Sequence, residues 1–167
     1  MLFRSPAYLL QTERFYDLAG SITYIVVTTS AVLLSPVANG RSILLLVLVV
    51  IWATRLGTFL FGRILRKGKD ARFDEIKPSF IRFLNAWTLQ ALWVTCTLAA
   101  ALAAITTTTR KELGWFALVG FVVWAVGFAV EVMADAQKSR FRADPENEDK
   151  FIYTGLWAWS RHPNYFG

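Results

Sequence analysis

The residues with the greatest capacity for chemistry lie close to the end of the sequence. The run Arg161-His162-Pro163-Asn164-Tyr165 places a cation, the only histidine, an amide and a phenol almost side by side. An arginine can bind a phosphate or carboxylate through two hydrogen bonds, an asparagine both donates and accepts, and a histidine titrates near neutral pH. Pro163 disfavours helix at the residue before it and suits the first turn of a helix, whose N–H groups favour an anion. We call this run the terminal motif and expect it to bind an anionic ligand.

A second set of charges follows helical spacing upstream of the terminal motif. Glu131, Asp135, Lys138 and Arg142 are separated by four, three and four positions, which places them along one face of a helix. Two carboxylates followed by two cations can pair with one another or bind a charged, hydrogen-bonding ligand. Because a carboxylate inside a membrane span is costly in lipid, we expect Glu131 to line a polar cavity rather than a lipid-facing surface.

Arg55 is the remaining candidate, on an earlier apolar segment. It shares a helix face with Trp52, Phe59 and Arg63. Arg63, at the basic end of this segment, is about 12 Å from Arg55 along the helix axis, at 1.5 Å per residue. Arg55 would therefore have to extend far along the helix to place its charge at the membrane interface. An inward, anion-facing role is favoured, with snorkelling to the membrane surface as the alternative.

The elements that must position these residues are membrane helices. The sequence is 55% hydrophobic and 15% aromatic, above the usual share for a soluble domain. Apolar runs at about 18–35, 43–62, 83–105 and 114–133 approach the roughly 20 residues needed to cross a bilayer. We therefore predict an all-α, polytopic integral membrane protein with about four transmembrane helices and the start of a fifth. Asn85 and Gln90 in the third run could line a cavity or join helices through polar contacts.

The net charge of +6 comes from basic residues in the connections between apolar runs, and no nucleic-acid-binding motif accompanies them. The largest cluster of basic residues lies in segment 63–82. By the positive-inside tendency, we expect that loop and the N-terminus to be cytoplasmic. Residues 1–17 are predicted to form an amphipathic stretch at the headgroup level. The only cysteine, Cys96, lies within an apolar run, so neither a disulfide framework nor a metal site is predicted.

Three ordered motifs resemble the steroid 5-alpha-reductase-like membrane family, and most closely its branch of unassigned substrate. They are a Lys69–Asp74 loop, Asp135-Ala-Gln-Lys138, and Gly155-Leu-Trp followed by Ser160-Arg-His-Pro-Asn-Tyr-Phe-Gly167. The likeness spans roughly residues 50–167. It implies that the chain is the N-terminal part of one longer transmembrane domain, with later helices missing, and that this fragment alone is inactive.

The resemblance also implies an activity. By this resemblance, the protein is expected to be a membrane enzyme that uses NADPH to reduce a carbon–carbon double bond in a steroid-like or isoprenoid-like lipid substrate. The positions that match the family's cofactor contacts are Asn164, Asp135, Arg142 and Arg55. No catalytic residue is assigned, and Trp52 stands where the steroid reductases have a tyrosine, so a steroid substrate is not supported. The membrane would be the endoplasmic reticulum in a eukaryote or the inner membrane in a bacterium.

Two other functions remain open. The Arg-His-Pro-x-Tyr pattern is also similar to the isoprenylcysteine and phospholipid methyltransferases, which bind S-adenosylmethionine. A non-catalytic membrane protein that keeps the fold is the third alternative. An aromatic belt at the membrane interface would explain Trp157 and Trp159, but it would not explain the polar residues of the terminal motif.

Overall fold

The computed structural model describes residues 15–68, 73–76, 78–109 and 112–166, and these residues form helices and turns without any strand. Four long helices follow one another along the chain: α1 (Tyr16–Leu34), α2 (Gly40–Lys67), α3 (Phe80–Thr106) and α4 (Trp115–Ala143). Each is long and apolar enough to cross a membrane. The predicted all-α membrane fold is confirmed, and a lipid bilayer is its natural environment.

Some predictions concern residues outside these ranges. The amphipathic N-terminal stretch falls almost wholly on residues 1–14, and most of the Lys69–Asp74 loop falls on residues 69–72. Both lie outside the described residues, as do several basic loop residues and the last glycine: Lys77, Arg110, Lys111 and Gly167. The described residues belong to two compact units, one up to Glu112 and the other from Leu113 onward.

In the first unit, α1 packs against both α2 and α3. The interface is centred on Tyr24 and Ala53, which are buried with residues of α3. The Tyr24 hydroxyl lies 2.6 Å from the Thr97 hydroxyl, so a buried polar group is satisfied between helices. Gln90 Nε2 donates to the carbonyl of Tyr16 at 2.9 Å, and this bond joins α3 to the start of α1. Of the two roles open to Gln90, helix joining is therefore the one observed.

Two local features fix the geometry of α2. Asn39 caps its N-terminus, where Oδ1 accepts from the N–H groups of Arg41 and Ser42 in a capping box. Further along, α2 approaches α1 so closely that a Cβ on Gly57 would lie 2.7 Å from Ser21 Oγ. A glycine is therefore required at this crossing.

The second unit consists of α4 and the segment that follows it. The N-terminal part of α4 is apolar and exposed, as Trp115 and Phe116 illustrate, whereas its C-terminal part is polar and half-buried. After α4 the chain forms short 3₁₀ turns at Pro145–Asn147, Gly155–Ala158 and Pro163–Tyr165. The last two pack against α4. The segment that carries the terminal motif therefore returns to the helix that carries the charged stripe.

Candidate functional site

The carboxylates of the stripe lie on α4, and burial changes along that helix. Glu131 and Asp135 are each only 5% exposed. Lys138 and Arg142, further toward the C-terminal end, are exposed. A buried carboxylate is stable only when hydrogen bonds or opposite charges replace its hydration. The inner half of the stripe is thus a buried acidic pair, and the outer half presents two cations.

The 3₁₀ turn at Gly155–Ala158 is anchored to the adjacent turn of α4. Leu156 N–H donates to Gln137 Oε1 at 3.0 Å. Trp157 Nε1 donates to the carbonyl oxygen of Ala134, also at 3.0 Å, and its indole is buried. The Lys138 ammonium lies 4.8 Å from the centre of the Trp157 ring, within the range of a cation–π contact. We call this set of contacts the α4 anchor.

Asn164 joins the terminal motif to the buried carboxylates. Its Nδ2 donates to Asp135 Oδ1 at 3.3 Å, across 29 positions of sequence. An ionised carboxylate can only accept, so this contact fixes which end of the amide faces Asp135. The other end, Asn164 Oδ1, is buried and has no hydrogen-bond partner among the described residues. A buried acceptor of this kind is costly to leave unsatisfied and is suited to a donor from a ligand.

The other residues of the terminal motif are arranged around Asn164. Pro163 is buried and begins the last 3₁₀ turn, while Arg161 is exposed. The His162 and Tyr165 rings stack at 5.2 Å with an interplanar angle of 13°. The motif therefore turns its amide toward the helix and its cation and rings toward the surface.

Arg55 belongs to the first unit and is described with it. Its guanidinium carbon lies 5.1 Å from the centre of the Phe59 ring, so the charge covers an aromatic face of its own helix. Arg63, on the same face, lies 3.6 Å from a carboxylate oxygen of Asp17 in α1. The anion-facing role of Arg55 stays a prediction.

Sequence reasoning missed the α4 anchor. The sequence pattern gives Gln137 no role beyond its place in the Asp135–Lys138 motif, and it makes Trp157 a candidate for an aromatic belt. The structure corrects the second interpretation, since Trp157 is buried against α4 and only Trp159, which is 90% exposed, fits a belt. The signal available in the sequence is the Thr154-Gly155 pair, which indicates a turn, and the structure places that glycine at φ +60°.

Comparison with known proteins identifies relatives. A family model described as "Protein of unknown function (DUF1295)" matches residues 7–167. The chain is also similar to a probable O-methyltransferase, ustE, of Ustilaginoidea virens, with 37% identity over 46 residues. That similarity covers 28% of this chain and 16% of the fungal protein, so the chain spans a small part of that relative. No solved structure matches the chain.

Proposed function

Because the chain belongs to the DUF1295 family, a steroid 5-alpha-reductase-like family, we propose that it functions as a membrane-embedded, NADPH-dependent reductase. The reaction would reduce a carbon–carbon double bond of a lipid-like substrate. Four membrane-spanning helices support a substrate drawn from the bilayer. The terminal motif and the end of α4 would form one wall of the cofactor site.

The observation that carries this proposal is the pairing of Asn164 with Asp135. Asp135 holds the amide by its Nδ2, which leaves Oδ1 buried without a partner among the described residues. The nicotinamide ring carries a carboxamide whose N–H groups are the complementary donors. Burial of the amide strengthens such a bond, because little water competes for the acceptor.

The charges of the second unit fit the remaining groups of a dinucleotide. The buried carboxylate of Glu131 can accept from ribose hydroxyls, as that of Asp135 can. Lys138, Arg142 and Arg161 are exposed and can bind phosphates, for which arginine offers two parallel hydrogen bonds. The stacked pair of His162 and Tyr165 offers an aromatic face beside the same turn. When bound, NADPH supplies a hydride, and the residues of this chain bind and orient the cofactor.

A methyltransferase is the second candidate, and the similarity to a protein named as a probable O-methyltransferase supports it. Its cofactor, S-adenosylmethionine, carries an amino group and a carboxylate. The acidic pair Glu131 and Asp135 would suit the amino group, and Arg161 would suit the carboxylate. The two candidates therefore compete for the same residues, and a binding experiment must decide between them.

The experiment measures thermal unfolding of the full-length protein in detergent, with NADPH or S-adenosylmethionine added. A ligand at about 100 times its Kd stabilises the folded state by about 2.7 kcal/mol, a readily measured rise in Tm. We expect NADPH to raise the Tm and Asn164→Ala to abolish that rise. Asn85→Ala is the matched control, because Asn85 is an exposed amide of the first unit.

The outcomes separate the three functions. Stabilisation by NADPH that depends on Asn164 supports the reductase. Stabilisation by S-adenosylmethionine alone would refute it in favour of the methyltransferase. A protein that neither compound stabilises would match the non-catalytic alternative. Equal loss of the NADPH effect in Asn85→Ala would show that Asn164 has no specific part in binding.

A further inference from the structure

Gln137 lies at the centre of the α4 anchor but has no place in the proposed cofactor contacts. Its Oε1 accepts from Leu156 N–H at 3.0 Å, at the point where the returning segment first meets α4. Ala134 O, one turn earlier, accepts from Trp157 Nε1. Asp135 lies between these two residues in sequence and bonds Asn164. A single turn of α4 therefore holds both the start of the returning segment and the amide that ends it.

Gly155 and Gln137 fit each other closely. Gly155 adopts a φ of +60°, and a Cβ built on it would lie 2.7 Å from Gln137 Oε1 and 2.8 Å from its Nε2. Any larger residue at position 155 would have to displace the Gln137 amide. Displacing that amide would break its bond to Leu156, so a side chain at position 155 is incompatible with the observed Gln137–Leu156 bond.

The contacts along the returning segment are unequal. The bond of Asn164 to Asp135 is long, at 3.3 Å, whereas the bonds of Leu156 and Trp157 to α4 are both 3.0 Å. The last turn, in which Pro163 is buried, also packs against α4, but the hydrogen bond that joins it to α4 is this long one. The anchor adds a buried indole and two shorter hydrogen bonds, which are directional constraints on the segment that leads to Asn164.

We propose that Gln137 is a positioning residue, which sets where Asn164 lies relative to Asp135 by holding the Gly155–Trp157 turn on α4. This inference rests on the proposed function, since it gives Gln137 its purpose in a cofactor site. A glutamine that served only packing could be replaced by methionine, which has similar length and no acceptor of comparable strength.

The test compares Gln137→Met with Gln137→Glu, which keeps a side-chain oxygen acceptor. In the full-length protein, we expect the Kd for NADPH to rise about fivefold in Gln137→Met, the equivalent of about one hydrogen bond. We expect Gln137→Glu to stay within about twofold of the wild type. The Tm without ligand should change little, because methionine and glutamine have similar helix propensities and the lost bond joins α4 only to a local turn.

A double variant adds a second readout. Gly155→Ala should weaken NADPH binding at least as much as Gln137→Met does, since it separates Gln137 from Leu156 and also strains a backbone held at φ +60°. The combined variant should be less affected than the product of the two single changes predicts, because both remove the same bond. Independent, multiplicative effects would mean that the residues do not act through one contact.

Hydrogen exchange without ligand separates failure of this inference from failure of the proposed function. We expect peptides covering residues 159–166 to exchange faster in Gln137→Met and at the wild-type rate in Gln137→Glu. Unchanged exchange in Gln137→Met would overturn the positioning role, and so would faster exchange with an unaltered Kd. If the wild type does not bind NADPH, the proposed function fails, and the exchange rates alone then decide whether Gln137 holds the segment.

Discussion

The substitution Trp157→Phe tests the α4 anchor with a small and calculable change. It removes the Nε1–H group that donates to Ala134 O at 3.0 Å but leaves an aromatic ring in place. A neutral hydrogen bond contributes about 1 kcal/mol net. The smaller ring, at a site where Trp157 is only 8% exposed, loses roughly another 0.5–1 kcal/mol of apolar burial. The free energy of local opening of the anchored turn should therefore fall by about 1.5–2 kcal/mol.

Hydrogen exchange measured by mass spectrometry reports this opening locally. A change of 1.36 kcal/mol is tenfold in an equilibrium constant, so exchange in peptides covering residues 155–159 should accelerate about tenfold to thirtyfold. Trp159→Phe is the matched control, because Trp159 is in the same segment but 90% exposed. Exposed substitutions stay within about 0.5 kcal/mol, so the control should change exchange by about twofold at most. Equal rates in the two variants would refute the anchor.

Two further predictions concern the first unit and the orientation of the chain. Gly57→Val should destabilise the protein by about 1–3 kcal/mol through overpacking against Ser21, which lowers the Tm by several degrees. Gly62→Val is the control and should not lower the Tm, because a side chain there meets open space. Equal effects of the two substitutions would contradict the close crossing of α1 and α2. The topology can be tested with single cysteines in a protein otherwise lacking cysteine and a membrane-impermeant thiol reagent. Glu75→Cys should react with the reagent from the cytoplasmic side, and Thr108→Cys should react from the opposite side. The reverse pattern would overturn the predicted topology.

The four membrane helices could be predicted from the sequence because a bilayer imposes a length and a composition. Their ends could not be predicted from hydropathy alone. The run at 43–62 lies within a helix that extends over Gly40–Lys67, since Asn39 caps its start beyond the apolar residues. The run at 114–133 belongs to a helix that continues to Ala143 through the charged stripe. Apolar runs mark where a helix meets lipid, whereas caps and polar partners decide where it ends.

The candidate site was predictable in part. Helical spacing placed Asp135 on a charged stripe, and the terminal motif singled out Asn164, but only the resemblance to a family suggested that they contribute to one site. The fold brings them together through a returning segment without regular hydrophobic periodicity. Gln137 escaped notice because its partner is the backbone N–H of Leu156, and no side-chain pattern marks a backbone donor.

The order of charges along α4 bears on the choice between the two cofactors. Glu131 and Asp135 are buried, whereas Lys138 and Arg142 are exposed, so the helix changes from acidic to basic toward its C-terminal end. Glu131 and Arg142 are separated by about 16 Å at 1.5 Å per residue. A dinucleotide has hydroxyl and carboxamide donors at one end and phosphates further along, which matches both the order of charges and the span. S-adenosylmethionine is shorter and has no phosphate, so it would offer no phosphate for Arg142 to bind. The stripe therefore favours the reductase, with Arg142 as the residue whose removal should distinguish the two ligands.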